Sequence, residues 1–288
     1  MVGYEHLYWW SSDGLRLHAR DYPGRAEALP LVCLPGLTRN ARDYEMLAER
    51  FAGERRVICA ELRGRGESAY AKDPMSYVPL IYARDIAAML DGAGVDRFIA
   101  VGTSLGGIVT MLLAGMLPGR IAGVVLNDVG PAIEPAGLAR IRGYVGRSST
   151  FPTWVHAARG VQESNADVYS DYALEDWIGM AKRLYRLNAA GRIVLDYDMK
   201  IAEPFRLPGN EAGPDMWRAY AAFGDTPVLI VRGERSDILS ASTAERMAEA
   251  LPRAELVTVA RVGHAPTLME DAVTQPLARL LARVAEPR

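Results

Sequence analysis

Short stretches that are apolar along their whole length alternate with longer ones in which apolar residues recur at helical spacing. Leu29–Leu34, Val57–Leu62, Phe98–Gly102, Val124–Asn127, Pro227–Val231 and Leu256–Val259 are of the first kind, which predicts strands covered on both faces. Arg42–Phe51, with Tyr44, Leu47, Ala48 and Phe51 on one side, is of the second kind, as are Tyr82–Leu90, Ile108–Leu117, Thr243–Leu251 and Ala278–Val284. Repeated strand–helix–strand units predict an α/β fold, a mostly parallel sheet of about eight strands flanked by helices. Ahead of them, Ser12-Asp13-Gly14 between two β-rich segments predicts an opening hairpin.

The alternation breaks after Asp128. From Pro131 to Gly224 there is no clear strand, only helix-like stretches such as the one whose face carries Leu174, Trp177, Ile178, Ala181 and Leu184. The expected organisation is therefore a core domain of residues 1–130 and 225–288 with a helical insertion, residues 131–224, between its halves. Half of the 288 residues are apolar, enough for a sizeable core. A net charge of −2 gives no electrostatic footprint for nucleic acid or an anionic membrane, so the expected partner is a small molecule. Met1–Asp13 lacks the basic start and apolar stretch of a signal peptide, and no apolar run reaches the length of a membrane span. Cytoplasmic residence is the expectation. Cys33 and Cys59 lie inside strand-like runs and read as buried thiols. Oligomeric state leaves no mark in the pattern.

The chemistry gathers around Gly102-Thr103-Ser104-Leu105-Gly106-Gly107, a GxSxG string at the passage from a buried strand into a helix. A serine hydroxyl becomes a nucleophile only when a positioned base takes its proton. Of the four histidines, His6 and His18 fall in the hairpin and His156 in the insertion, whereas His264 follows the last strand, where parallel sheets collect their sites. Asp237, after the strand Val228-Leu229-Ile230-Val231, is the first choice for the carboxylate that orients His264, with Asp128 as its rival. An oxyanion needs two backbone donors. The amides of Leu105, at the helix start, and Leu37, after Pro35-Gly36, are the expected pair.

These pieces together resemble the α/β-hydrolase superfamily over nearly the whole chain. Glu61-Leu62-Arg63-Gly64-Arg65-Gly66-Glu67-Ser68 resembles that family's D-x-R-G-x-G-x-S loop, with Glu61 where Asp is usual, and Val262-Gly263-His264-Ala265-Pro266 resembles its histidine loop. Pro35-Gly36 stands where His-Gly is usual. The resemblance implies that the insertion is a helical cap, with Trp154, Trp177, Met180, Tyr185, Trp217, Tyr220 and Phe223 as candidates for an apolar pocket and Arg39 and Asn40 at its polar edge. It further implies hydrolysis of carboxylic esters through an acyl-enzyme. Lactones and carbon–carbon bonds remain alternatives on the same residues, as does a ligand-binding member without catalysis. Ser rather than Asp at the elbow disfavours epoxide and haloalkane chemistry. No cofactor is implied, and no metal, since the histidines form no ligand cluster in the sequence.

Overall fold

In the computed structural model, which describes residues 3–206 and 216–285, the apolar runs become strands. The first half holds β1 (Glu5–Trp10), β2 (Arg16–Tyr22), β3 (Leu31–Leu34), α1 (Glu45–Phe51), β4 (Val57–Glu61), α2 (Pro79–Gly92), β5 (Phe98–Thr103), α3 (Leu105–Met116) and β6 (Ile121–Asn127). The insertion carries α4 (Pro135–Tyr144), β7 (Thr150–Phe151), α5 (Trp154–Asn165), α6 (Leu174–Leu184), β8 (Tyr185–Leu187), β9 (Ile193–Leu195), α7 (Glu203–Arg206) and α8 (Met216–Ala221). The second half returns with β10 (Val228–Gly233), α9 (Ala241–Ala250), β11 (Ala254–Val259) and α10 (Asp271–Ala285).

Eight strands form one sheet in the order β1-β2-β4-β3-β5-β6-β10-β11. The β1–β2 and β2–β4 pairs are antiparallel and the rest parallel. The apolar runs divide by the strand's two-residue period. Leu31 and Cys33 face Leu47, Phe51, Leu277 and Leu280 of α1 and α10, whereas Val32 and Leu34 join the core with Ile86, Val109, Leu113 and Met247 of α2, α3 and α9. Each such leucine contributes about 1.5–3 kcal/mol by leaving water. Cys33 and Cys59, register partners across β3 and β4, are buried free thiols. Strand β6 begins earlier than the pattern predicts. Gly123 interrupts its apolar run because a β-carbon there would stand 2.7 Å from Val284 of α10.

The insertion departs from the helical expectation. Strands β7, β9 and β8 make a small antiparallel sheet, too short for a two-residue period to register in sequence. The β8–β9 turn is organised by Asn188, whose side-chain oxygen accepts from the amides of Ala190 and Arg192. Helices α5 and α6 enclose a separate core of Ala157, Ala158, Val161, Trp177, Met180 and Ala181. The end of the segment rejoins the main core: Tyr220 and Phe223 pack there, and the Tyr220 hydroxyl donates to the Met247 carbonyl. Among the described residues no helix is long and apolar enough to cross a membrane.

The loop after β4 ties these parts together. Gly64 and Gly66 take positive φ, and a β-carbon on Gly66 would fall 2.3 Å from the Glu61 carboxylate. Ser68 donates to the Glu61 carbonyl and accepts from the His18 amide. Arg63 is buried between Asp85 and Asp13, satisfied by both. Arg65 reaches the carbonyl of Leu37, while the Gly66 amide donates to Asp196 of the insertion. One short loop thus anchors the hairpin, the Pro35–Leu37 turn and the insertion.

Candidate active site

Ser104 sits between β5 and α3 at φ 52° and ψ −118°, a conformation rarely taken by a residue with a β-carbon. The surrounding glycines permit it. A β-carbon on Gly106 would stand 1.8 Å from the Leu34 carbonyl oxygen, and one on Gly102 would stand 2.6 Å from the backbone of Gly106. The turn is also pinned from below: the Ser104 amide donates to Asn127, and Thr103 Oγ1 accepts from Tyr44 and Asn127. Strain held this firmly at one residue is characteristic of functional turns.

His264 Nε2 stands 3.0 Å from Ser104 Oγ, and its Nδ1 stands 2.8 Å from Asp128 Oδ2. The imidazole side chain is 13% exposed, open enough to meet a substrate, whereas the Asp128 side chain is at 0%. The carboxylate is nonetheless fully engaged. The Gly233 amide donates to Oδ1 at 2.8 Å, and Ser236 Oγ donates to Oδ2 at 2.6 Å. Ser236 is itself held by the amides of Ile238 and Leu239. Because a carboxylate only accepts, Nδ1 carries the imidazole proton and Nε2 presents a lone pair to the serine hydroxyl. The arrangement can withdraw a proton from Ser104 and stabilise the imidazolium that results.

Asp237, the first-choice carboxylate of the sequence, is therefore corrected to Asp128. Asp237 forms a two-pronged pair with Arg140 of α4, which holds its carboxyl below the usual carboxylate range. Asp128 reaches the imidazole because the chain leaves β6 at φ 54° there, a left-handed turn that aspartate tolerates, while its amide stays bonded to Val231 of β10. Ser236, one residue before Asp237, is the group that sequence reading missed.

Gly36 lies against the nucleophile, since a β-carbon on it would stand 3.6 Å from Ser104 Cβ. The Leu37 segment follows directly, fixed by Arg65 at its carbonyl. Leu105 opens α3, so its amide stands at a helix start. Arg39 is not free for a substrate: it makes a two-pronged pair with Asp43. Asn40 is fully buried, accepting from the Arg42 amide and donating to the Arg183 carbonyl. The aromatic candidates also separate. Trp177, Met180 and Tyr185 belong to the insertion's own core and Trp154 packs against it, whereas Trp217 lies on the main core with Arg246 stacked over its ring at 3.9 Å. Tyr220 and Phe223 are buried in that main core.

One tyrosine the sequence did not single out, Tyr169, stands closer to the chemistry. The Tyr169 hydroxyl donates to the carbonyl of Ala265, next to His264, and the Gly263 amide donates to Val168, so the insertion rests on the histidine loop. Tyr144 is 42% exposed, yet burial raises its phenol above the ordinary value. The charges it senses are Arg140, Arg39 and Asp237.

The model of the alpha/beta hydrolase family matches residues 31–279. The chain belongs to that family. It is 33% identical over 264 residues, 89% of each chain, to a 3-hydroxybutyrate-oligomer hydrolase of Cupriavidus necator. It is 24% identical over 276 residues to an Escherichia coli esterase, covering 93% of this chain and 98% of that one. Among solved structures, an alpha/beta hydrolase of Novosphingobium aromaticivorans shares 57% identity with a TM-score of 0.94, over 98% of this chain and 99% of the other. These relatives support hydrolase chemistry for this α/β-hydrolase, and the Novosphingobium structure shares its fold.

Proposed function

We propose that this α/β-hydrolase cleaves carboxylic esters of small, largely apolar molecules through an acyl-enzyme on Ser104. The carrying observation is the unbroken hydrogen-bond chain from Ser104 through His264 to Asp128. Ser104 Oγ attacks the ester carbonyl as His264 Nε2 takes its proton, and Asp128 stabilises the imidazolium. The tetrahedral oxyanion is held by the Leu105 and Leu37 amides. His264 then protonates the departing alcohol. Water, activated by the same nitrogen, releases the acid and restores the serine. The insertion acts as a cap whose Tyr169 braces the histidine loop through the Ala265 carbonyl. No step calls for a metal or organic cofactor. A cytoplasmic setting suits the free thiols of Cys33 and Cys59.

Esters of short hydroxy acids are the first substrates to test, because the relative named for 3-hydroxybutyrate oligomers matches over most of both chains. The experiment compares hydrolysis of p-nitrophenyl acetate and butyrate, and of 3-hydroxybutyrate dimer and trimer, by the wild type, Ser104→Ala and His264→Ala. Turnover by the wild type, with a loss of about 10⁶-fold in kcat in each variant, is expected. Variants that keep turnover near wild type would overturn the serine mechanism, and an active-site serine that labels with a fluorophosphonate but turns over no ester would overturn the substrate class.

A further inference from the structure

We propose that His6, His18 and Glu67 form a binding site for a divalent transition metal, with zinc the best fit, between the opening hairpin and the loop after β4. In sequence the histidines show no cluster, but folding gathers two of them. Across the β1–β2 ladder, Tyr8 pairs with His18 and Arg20 with His6, so the two imidazoles are diagonal neighbours on one face of the sheet. His6 Nδ1 stands 2.9 Å from His18 Nε2, and Glu67 Oε2 stands 3.8 Å from His6 Nδ1. The three ligand atoms all lie within 4.8 Å of one another.

What distinguishes this group from a chance meeting of polar residues is the support behind it. His18 is fully buried, and its Nδ1 stands 2.8 Å from Glu61 Oε2. The carboxylate can only accept, so the proton is on Nδ1 and the Nε2 lone pair points toward His6. A carboxylate behind a histidine that fixes its tautomer is the usual outer support of a metal ligand. The same Glu61 oxygen accepts the Glu67 amide at 2.6 Å, fixing the backbone of the third ligand, and the Tyr8 hydroxyl donates to Glu67 Oε2. Glu61 is also the position at which the loop departs from the motif it resembles.

Zinc with nitrogen and oxygen ligands at about 2.0–2.1 Å places neighbouring ligand atoms about 3.3 Å apart in a tetrahedron. The observed 2.9 and 3.8 Å lie on either side, and the side chains of His6 and Glu67, 46% and 52% exposed, have room to adjust. Water would supply the fourth ligand. Without metal, His6 Nδ1–H donates to His18. On binding, His6 would carry its proton on Nε2 instead, leaving Nδ1 free for the ion. The ion would tie the hairpin to the loop whose Arg65 holds the Leu37 carbonyl.

The test is a titration of the full chain, freed of metal by a chelator, with zinc chloride. Calorimetry and thermal unfolding are followed for the wild type, His6→Ala and Glu67→Ala. The wild type is expected to take up one ion per chain and to gain several degrees in Tm. Each variant should bind about 10-fold more weakly or worse, with ester turnover unchanged. Absence of saturable binding would overturn the site. Binding that persists at full strength in His6→Ala would do so too, assigning the ion elsewhere, and full-strength binding in Glu67→Ala would overturn the third ligand.

Discussion

Two loops leave neighbouring strands at the same end of the sheet, each carrying an aspartate, and they use it in opposite ways. At the end of β6, Asp128 is sealed from solvent and receives three donors, one of them His264. Beyond β10, Asp237 is 35% exposed and spends its charge on Arg140. The β10 loop still serves the site, through the Gly233 amide and the Ser236 hydroxyl that hold Asp128. A carboxylate near a histidine is thus not enough. The useful one is buried, stripped of competing cations and held from several sides.

The sharpest way to break this contrast is Asp128→Asn, expected to lower kcat by about 10⁴-fold with the fold intact, because the amide favours the wrong imidazole tautomer. Steady-state kinetics on a p-nitrophenyl ester reads it. Ser236→Ala leaves the histidine in place but takes one donor from the carboxylate, and should lower kcat about 10-fold with little change in KM, the equivalent of one lost hydrogen bond of about 1.4 kcal/mol. Asp237→Asn should leave kcat within about twofold and cost no more than about 1 kcal/mol, as for a partly exposed ion pair. Its mark is on pH instead. Because Arg140 lowers the folded-state pKa, the pair's stabilisation is complete above about pH 4 and is lost as pH falls through the lowered value. Acid unfolding curves of the wild type and Asp237→Asn should therefore separate at neutral pH and converge in acid.

The sequence disclosed the sheet because β3, β4 and β5 are covered on both faces and so read as apolar runs. Ser104 was legible because its glycines serve packing that few other residues allow, and His264 because the other three histidines lie in the hairpin or the insertion. The choice of acid was not legible. Asp128 and Asp237 both fall between Ser104 and His264 in chain order, and what separates them is one left-handed residue and an arginine 97 positions from Asp237. The strands of the insertion escaped notice for a different reason, since two or three residues carry no period. The His6–His18–Glu67 group arises only from strand register and a loop held by Glu61, neither of which is written in local spacing.

The most direct test of the central claim is the rate at which a fluorophosphonate labels Ser104, followed by intact mass in the wild type, Asp128→Asn and Asp237→Asn. A serine activated through His264 and Asp128 predicts rapid labelling in the wild type and Asp237→Asn, and labelling slowed by orders of magnitude in Asp128→Asn. Fast labelling in Asp128→Asn together with slow labelling in Asp237→Asn would contradict the account and return the role to Asp237.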